Sequence, residues 1–284
     1  MAVRIACFGS MNHDLTLWVP HPPAPDETVR AHRSAEFLGG KGANQAVAAR
    51  RLGAEVSMIG RVGTDASGAT IVEEMAAEGI DVSAVIATAG PTGRAVPIVN
   101  DDGEVSIIIV AGANGAVGPS DADDAAEIIA AADVLLLQGE VDASASGRAA
   151  AIAREAGRLI VFNPAPVPDR SDLVLRHDPI VVANSHEALE LQLDSSDRAI
   201  VTLGSAGVQV GATRVAAFPT EIVDPTGAGD SFCAAFAVAL AEGAEIVDAC
   251  RFGAAAGAFT VSVAGAKPSM PTRAQVEAIL NAGH

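Results

Sequence analysis

Short apolar runs alternate along this chain with longer segments in which apolar residues recur at helical spacing. Runs typical of buried strands lie at residues 3–8, 56–60, 134–137, 159–162, 180–183 and 199–203. Segments with a helical period lie at residues 43–52, 69–78, 122–132, 144–156, 229–242, 245–259 and 273–281. Strands that alternate with helices in this way predict a parallel sheet covered by helices on both faces.

Two segments interrupt this alternation. Residues 12–38 have no helical period and include the proline-rich stretch VPHPPAP, and residues 92–110 fit a hairpin with DDG at its turn. Both predict antiparallel β structure, which we interpret as a small lid over the ligand edge of the core sheet. The predicted α/β fold therefore has a core of residues 1–11, 39–91 and 111–284. The two interrupting segments form the lid, whose exposed strands favour pairing with a second subunit.

The composition of the 284 residues limits the kinds of partner that the chain can have. Hydrophobic residues make up 50% of the chain and charged residues 19%, which suits one large α/β domain with a buried core. The formal net charge of −17 argues against nucleic-acid binding and against attraction to an anionic membrane surface. An anionic cofactor remains compatible with this charge, because backbone dipoles alone can make a local site positive.

The cysteines and the apolar runs indicate in which cellular compartment the protein is expected. Cys7, Cys233 and Cys250 are far apart, with no CxxC pair and no Cys/His metal spacing, and such sparse use of cysteine fits a reducing cytosol. No uninterrupted apolar run is long enough to predict a transmembrane helix, and the N-terminal segment does not fit a signal peptide. We therefore expect a cytoplasmic protein without a membrane partner.

The stretch DPTGAGD, residues 224–230, is a candidate phosphate site, although the sequence lacks GxxxxGK[ST] and has no GxGxxG after its first strand. Gly227, Ala228 and Gly229 are small enough for a ligand to approach their backbone, and the following helix leaves its first N–H groups unpaired. Asp230 lies in the same turn, where a carboxylate would repel a bound anion. Either Asp230 only stabilises the helix N-terminus, or it acts on a substrate.

The stretch FLGGKGANQAVAARRLGA, residues 37–54, is a second candidate site. Gly39-Gly40 and Gly42 flank Lys41 and lead into a predicted helix, so the loop can accept a polyhydroxylated or phosphorylated ligand. The amide of Asn44 offers both a donor and an acceptor for hydroxyl groups. The alternative is a plain loop-to-helix junction with a solvated lysine.

The stretch GSMNHDL, residues 9–15, directly follows the first strand at the edge where such sheets bind ligands. Asn12 and Asp14 face the same way on an extended chain, and a carboxylate beside a carboxamide suits adjacent hydroxyl groups. His13 points the other way and is interpreted as a surface residue. The alternative for Asn12 and Asp14 is a turn with side-chain caps.

Weaker signals come from polar residues and glycines at the ends of later predicted strands. These residues are Glu140, Asn184, Glu187, Thr202, Gly204 and Gly207. Each of them alone is more often structural than functional. Together they place polar groups along one edge of one sheet.

These motifs resemble the ribokinase family of carbohydrate kinases, also called PfkB. GGKGANQAVAARRLGA and DPTGAGDSF look like its two signature regions, and GSMNHD, AGAN, FNPAP, VANSHE, VTLGSAGV and GAKPSMP extend the resemblance over essentially the whole chain. The resemblance implies a Rossmann-like three-layer sandwich with a mostly parallel sheet and a β lid. It also implies ATP-dependent phosphorylation of the primary hydroxyl of a pentose, most of all D-ribose, by a homodimer joined through its lids.

The resemblance also implies roles for individual residues. Asp230 would be the catalytic base, in an anion hole formed by Gly227, Ala228 and Gly229. The residues implied for sugar binding are Asn12, Asp14, Gly40, Lys41, Gly42, Asn44, Glu140 and Asp230. Those implied for the ATP nucleotide are Asn184, Thr202, Gly204, Gly207, Gly229 and Ala254. Asn184 and Glu187 would position Mg²⁺, mainly through water. A K⁺ ion would take the side chains of Asp224 and Ser269 and the carbonyls of Thr226, Thr260, Val263 and Gly265.

Some features depart from the family's pattern. The segments 188–198 and 208–218 are shorter than expected, and Ala254 stands where a larger polar residue near adenine is expected, which bears on nucleotide preference. Arg94 in the lid hairpin is long enough to reach the sugar. The alternatives are therefore a kinase of the same family for 2-deoxyribose, a hexose, a keto-deoxy sugar acid or a nucleoside, and a non-catalytic sugar sensor.

Overall fold

The computed structural model describes residues 2–194, 196 and 198–282. The strands, in chain order, are β1 (Arg4–Phe8), β2 (Asn12–Trp18), β3 (Arg33–Gly39), β4 (Glu55–Gly63), β5 (Asp81–Thr88), β6 (Arg94–Val99), β7 (Val105–Val110), β8 (Val134–Gln138), β9 (Leu159–Asn163), β10 (Ile180–Asn184), β11 (Ala199–Thr202), β12 (Val208–Val210) and β13 (Thr213–Val215). The helices are α1 (Lys41–Arg51), α2 (Ala66–Ala77), α3 (Pro119–Asp124), α4 (Ala126–Ala131), α5 (Ala143–Glu155), α6 (Asp172–Leu175), α7 (Ser185–Glu190), α8 (Ala228–Ala241), α9 (Ile246–Thr260), α10 (Ala266–Ser269) and α11 (Arg273–Ala282).

Two sheets organise these elements. Within the described ranges, a nine-stranded core sheet has the order β13-β12-β11-β10-β9-β8-β1-β4-β5, and a four-stranded lid has the order β3-β2-β6-β7. The chain moves from β1 to β4 and β5 on one side, and from β8 to β9 and β10 on the other. The strand order therefore reverses between β1 and β8. The crevice beyond the carboxyl ends of two such strands is where open α/β sheets bind ligands.

Apolar side chains cover both faces of the core sheet. Along β1, Ile5 and Cys7 belong to one buried cluster, and Ala6 and Phe8 belong to the other, as the alternation of side chains in a strand requires. Helices α1, α8 and α9 supply the first cluster, and α4 and α5 supply most of the helical part of the second. Because both faces of the core sheet are apolar, polar side chains that bind ligands are expected at the ends of its strands.

The predicted strands and most predicted helices are present, with boundaries shifted by a few residues. The predicted helix at 122–132 is wrong as a single element, because the backbone at Ala125 leaves the helical region and separates α3 from α4. Strand β5 and the short helices α6 and α10 were not predicted. Their apolar positions are too few or too exposed to give a clear period.

The prediction of antiparallel β structure in each of the two lid segments is confirmed. Strands β2 and β3 are antiparallel, as are β6 and β7, but β2 and β6 are parallel, with Leu17 opposite Ile98. The reason is topological. Strands β2 and β6 follow β1 and β5, which are parallel strands of the core, and both leave the core sheet from the same edge.

Strand β7 forms one edge of the lid and is exposed along its whole length. Ile107, Ile108 and Ile109 keep 59%, 56% and 56% of their surface accessible to solvent. An exposed apolar edge strand is a template for pairing with another chain. Across the part of the chain that is described, no helix is both long and apolar enough to span a bilayer.

Candidate active site

The loops that follow β1 and β8 meet at the point where the strand order reverses. The Ser10 hydroxyl donates to Oε2 of Glu140 at 2.5 Å, and the backbone N–H of Lys41 donates to the same oxygen at 2.9 Å. The N–H of Gly42 in turn donates to the Ser10 hydroxyl at 3.3 Å. Glu140 therefore fixes the start of α1, with Gly40 as its N-cap, against the end of β1.

Asn12 and Asp14 lie on β2, opposite Gly39 and Phe37 of β3. Because they are two residues apart on a strand, their side chains share one face, as predicted. The alternative of a capped turn is therefore wrong. Oδ1 of Asn12 accepts from Nδ2 of Asn114 at 2.7 Å, and Oδ1 of Asp14 accepts from the N–H of Ala95 at 2.9 Å. Both side chains are held in place by the second lid segment and the loop that follows it.

The Asp14 carboxyl titrates near neutrality. Burial raises the pKa of Asp14 to about 7, and the negative charges of Glu140 and Asp230 act in the same direction, against the hydrogen bond from Ala95. The folded protein therefore keeps a proton here up to about pH 7, whereas an unfolded Asp releases it near 3.8. This group makes the ligand-free fold less stable as pH rises between those values.

Asp230 lies in the first turn of α8 and is only 4% exposed. Its Oδ2 accepts from Nδ2 of Asn44 at 2.9 Å, and its Oδ1 accepts from Nε2 of Gln45 at 3.2 Å. The Asp230 carboxylate, and then Glu140, raise the pKa of Lys41 against the opposing effect of burial. The site thus combines acidic groups with one charged lysine. Hydrogen bonds from Asn44 and Gln45 fix the position of the Asp230 carboxylate.

The turn before Asp230 has the form expected of an anion site. Gly227, the N-cap of α8, has φ of +81°, a conformation that side chains beyond glycine rarely adopt. The N-cap gives no side-chain hydrogen bond to the first turn of this 14-residue helix, which begins at Ala228. A Cβ added at Gly229 would meet no described atom within 4 Å. The Ala228 N–H donates to the Pro225 carbonyl at 3.3 Å, whereas the space beside Gly229, next to the Asp230 carboxylate, is open.

Asn44 carries an unsatisfied acceptor in this crevice. Its Oδ1 is buried and has no hydrogen-bond partner among the described residues, while its Nδ2 is bonded to Asp230. A buried acceptor without a partner costs about 1–3 kcal/mol. A ligand hydroxyl that donates to this oxygen would remove that cost.

Two loops near the start of α8 are joined by Asp224. Its Oδ1 accepts from the N–H of Thr226 at 2.9 Å, and its Oδ2 accepts from the N–H of Gly265 at 2.8 Å. Partial burial alone would raise the pKa of Asp224, but hydrogen bonds from Thr226 and Gly265 hold that pKa below its ordinary value. Both oxygens keep lone pairs that can face a cation.

The other residues predicted for this cation adjoin the same loops. The Thr260 hydroxyl donates to Ser231 and also lies 3.3 Å from the Ser269 carbonyl, so these residues pack together, and Val263 follows in the same turn. The Ser269 hydroxyl donates to Ala266 at 2.7 Å, which leaves its oxygen free to accept or ligate.

The residues predicted for the nucleotide lie at the ends of β10 and β11. Oδ1 of Asn184 caps α7 by accepting from His186 and Glu187, and Oε2 of Glu187 accepts from the N–H of Asn184. The Thr202 hydroxyl lies 3.3 Å from the Ala183 carbonyl. Gly204 and Gly207 bound the turn before β12, and Ala254 is half-buried on α9. Among the described residues, no cluster of three or more His, Cys, Asp or Glu side chains could hold a metal.

Comparisons with known proteins identify the family to which this chain belongs. The family model for pfkB family carbohydrate kinases matches residues 3–273. A ribokinase of Bacillus subtilis is 37% identical over an alignment of 291 positions, which covers 98% of this chain and 99% of the relative. This chain belongs to the PfkB family of carbohydrate kinases. A Haemophilus influenzae ribokinase is 36% identical over 296 residues, covering 96% of this chain and 97% of that protein.

A solved structure extends the comparison to the fold of PfkB kinases. The structure of Arabidopsis thaliana ribokinase complexed with ribose and ATP is 33% identical, with a TM-score of 0.87 and coverage of 99% of both chains. The predicted family, the predicted α/β fold class with its second smaller sheet, and the prediction of a carbohydrate kinase are confirmed.

The register between β2 and β6 fixes the side of the lid on which Arg94 lies. Asn12 pairs with Gly93, so Arg94 is opposite His13 and its side chain shares the face of His13. The backbone of Arg94 therefore places its side chain on the face opposite Asn12 and Asp14, although its charge still lowers the pKa of Asp14, and contact between Arg94 and the sugar stays a prediction. The two side chains lie 3.5 Å apart, and His13 is half-buried rather than fully at the surface.

Sequence reasoning missed several residues that hold the PfkB site together. They are Ser10, Gln45 and Asn114, which support Glu140, Asp230 and Asn12 respectively. All of them lie in the quoted motifs, but their partners are distant in the sequence.

Proposed function

We propose that this chain is an ATP-dependent kinase that phosphorylates the primary hydroxyl of a pentose, converting D-ribose to D-ribose 5-phosphate. The observation that carries the proposal is the placement of the Asp230 carboxylate at an uncapped helix start, in contact with Asn44 and within electrostatic range of Asp14 and Lys41. The ribokinases among its relatives, and the structure of one complexed with ribose and ATP, support the same substrates.

The sugar lies in the crevice between the lid and the core. Carboxylates accept hydroxyl hydrogens, amides both donate and accept, and an ammonium donates, so the side chains there match a polyhydroxylated ring. The unsatisfied Oδ1 of Asn44 accepts one hydroxyl. The sugar-binding set is Asn12, Asp14, Gly40, Lys41, Gly42, Asn44, Glu140 and Asp230.

Asp230 acts as the general base. The sugar hydroxyl oxygen attacks the γ-phosphorus of ATP, the bond to the ADP oxygen breaks, and the hydroxyl proton passes to the Asp230 carboxylate. The backbone N–H groups of Gly227, Ala228 and Gly229 form the anion hole that stabilises the transferring phosphoryl group. This arrangement explains why a carboxylate lies in an anion-binding turn, since it faces the sugar rather than the phosphate.

The nucleotide lies along the ends of β10 and β11. Its contacts come from Asn184, Thr202, Gly204, Gly207, Gly229 and Ala254. Asn184 and Glu187 would position Mg²⁺ mainly through water; the Oδ1 of Asn184 and the Oε2 of Glu187 are already engaged in capping hydrogen bonds. Mg²⁺ offsets the repulsion between the ATP phosphates and Asp230. Within the shortened segment 188–198, residues 195 and 197 lie outside the described residues.

A monovalent cation completes the site. The oxygen donors beside α8 fit K⁺: side chains of Asp224 and Ser269, with carbonyls of Thr226, Thr260, Val263 and Gly265. A cation held there steadies the loops that flank the anion hole. Replacing Na⁺ with K⁺ is expected to raise kcat, and Asp224→Ala should abolish that difference. Rates measured by ADP release in each salt test this, and equal wild-type rates in both would remove the cation from the account.

The expected pH dependence of sugar binding follows from Asp14. The ionised carboxylate accepts hydroxyl groups better than the acid, and its pKa is about 7. If sugar binds only the ionised form, its Kd should fall about tenfold between pH 6 and pH 8. Calorimetric titration of ribose at each pH measures the change. The Asp14→Asn variant, which cannot ionise, should show a flat profile, and a flat wild-type profile would contradict this role.

The lid forms a homodimer through its exposed edge strand β7. Pairing with a second lid would satisfy its free backbone groups and cover Ile107, Ile108 and Ile109. Sedimentation should therefore find a dimer, and Ile108→Lys should shift it toward monomer. A charged substitution at a still more exposed apolar position outside the lid, Leu189→Lys, is the control. A monomeric wild type would exclude this interface.

The substrate class is tested with a coupled assay of ADP release across pentoses, hexoses and nucleosides. We expect D-ribose to give the highest kcat/KM. A higher value for 2-deoxyribose, a hexose, a sugar acid or a nucleoside would replace ribose as the substrate. Sugar binding without ADP release for every candidate would favour a sensor over a kinase.

A further inference from the structure

A connected set of buried amides ends on the Asp230 carboxylate. Gln45 of α1 is fully buried, and Gln138 and Asn163, at the carboxyl ends of β8 and β9, are 1% and 7% exposed. Amide side chains in an apolar core are costly unless they are hydrogen-bonded. None of these three residues belongs to the sugar, nucleotide or cation set.

A backbone carbonyl sets the direction of the hydrogen bonds in this set. Nδ2 of Asn163 donates to the carbonyl of Val182 at 2.9 Å, and a carbonyl can only accept. Oδ1 of Asn163 therefore faces Gln45 as an acceptor, at 3.4 Å from Nε2. On the other side, Nε2 of Gln138 donates to Oε1 of Gln45 at 2.8 Å. Both ends of the Gln45 amide are thus assigned.

The set ends on the Asp230 carboxylate. Nε2 of Gln45 has a second hydrogen, which it donates to Oδ1 of Asp230 at 3.2 Å. Asn44, the preceding residue, donates to the other oxygen of Asp230. Neighbouring amides of α1 therefore hold both carboxylate oxygens, and the carboxylate cannot rotate without losing one of these bonds.

The chain also makes room for the amide that supports Gln45. A Cβ at Gly9 would lie 1.9 Å from Oε1 of Gln138, so only glycine fits there without displacing the Gln138 side chain. That Oε1 has no hydrogen-bond partner among the described residues. Gln138 is thus held by the bond that its Nε2 makes to Gln45, together with a weak contact to the Cys7 sulfur at 3.6 Å.

We infer that Gln45 is a positioning residue for phosphoryl transfer. Its hydrogen bond orients the Asp230 carboxylate toward the sugar hydroxyl, and Gln138 and Asn163 fix the direction of that bond. The inference rests on the proposed role of Asp230 as the base. Asp230 is almost completely buried, so water cannot replace a lost protein donor. A misplacement of about 1 Å in a reacting group can cost about 100-fold in rate.

The test replaces Gln45 by methionine, which keeps the length of the side chain and removes its donor. We expect kcat to fall about 10- to 100-fold, with KM for ribose and for ATP changing less than about threefold. Gln138→Met, which removes the support one step away, should lower kcat by a smaller factor. Gln275→Met is the matched control, because Gln275 is also hydrogen-bonded but lies on α11, and it should keep the wild-type kcat.

The outcomes separate this inference from the proposed function. If Gln45→Met keeps the wild-type kcat while Asp230→Asn is inactive, the positioning role is wrong and the proposed function stands. If both variants stay active, the base itself is wrong. A parallel rise of both KM values with unchanged kcat would assign Gln45 to packing and overturn the inference. If the methionine variant does not fold, Gln45→Glu decides, because it keeps the shape and the bond from Gln138; wild-type kcat in that variant overturns the inference.

Discussion

Asp230→Asn is expected to lower kcat by about 10²–10⁴-fold, the usual contribution of a general base. The substituted amide cannot take the hydroxyl proton, although it occupies nearly the same volume. It also presents one NH₂ group to Asn44 or Gln45, both of which donate to the native carboxylate. Loss of that bond costs about 1–3 kcal/mol of stability. ADP release, ribose titration and the unfolding midpoint should be measured together.

A matched control separates the loss of chemistry from the loss of stability. Asp121 is 2% exposed and accepts from Arg61 in a bidentate pair at 2.8 and 2.9 Å. Asp121→Asn should lower the unfolding midpoint because it weakens a buried ion pair, and it should leave kcat unchanged. If Asp230→Asn behaves like this control, with kcat within a few fold of the wild type, Asp230 is not the base.

Gly39→Ala is expected to raise the KM for ribose by about 5- to 150-fold, with a smaller effect on kcat. A Cβ at this position would lie 1.9 Å from Oδ2 and 2.4 Å from Cγ of Asp14. The Asp14 carboxylate must therefore move and lose its bond from Ala95 or its place against the sugar. A displaced polar contact costs about 1–3 kcal/mol, which corresponds to this range of KM. Steady-state kinetics with ribose as the varied substrate measure the change.

Gly118→Ala is the control for this substitution, because a Cβ there meets only the Ser120 hydroxyl, at 4.0 Å. It should leave the KM for ribose unchanged. A wild-type KM in Gly39→Ala would mean that Asp14 does not bind the sugar. A fall in kcat alone would instead assign Asp14 to the chemistry.

Much of this site could be predicted because its residues cluster in short motifs at strand ends. Asn12 and Asp14 are two residues apart on a strand, and Gly227 to Asp230 form one turn, so local geometry alone brings each group together. The alternation of strands and helices likewise predicts the core sheet. In each case the physical signal lies within a few residues of the chain.

The rest depended on contacts between distant parts of the chain. Gln45 lies in a recognised motif, yet its partners Asn163 and Asp230 are 118 and 185 residues away, so nothing local distinguishes it from a core residue. The side of the lid on which Arg94 lies depends on the register between β2 and β6, and a shift of one residue would reverse it. The parallel pairing of those strands follows from the order of the core sheet.

The candidate active site has features that a binding protein would not need. A sensor would gain nothing from a buried carboxylate held by two amides beside an uncapped helix start, because that carboxylate opposes binding of the phosphates. Asn44 contributes to both functions, since it holds Asp230 and offers its unsatisfied oxygen to the sugar. Under the proposed function, the same side chain would couple binding of the sugar to the position of the base.

The most direct test of the central claim is the position of the phosphoryl group on the product. After incubation with ATP, Mg²⁺ and D-ribose, phosphorus NMR should detect D-ribose 5-phosphate in an amount equal to the ADP formed. With 5-deoxyribose, which lacks the acceptor hydroxyl, the sugar should bind but no ADP should be released above background. Phosphorylation at another hydroxyl, or ADP release with 5-deoxyribose at the rate seen with ribose, would contradict transfer from ATP to the primary hydroxyl at Asp230.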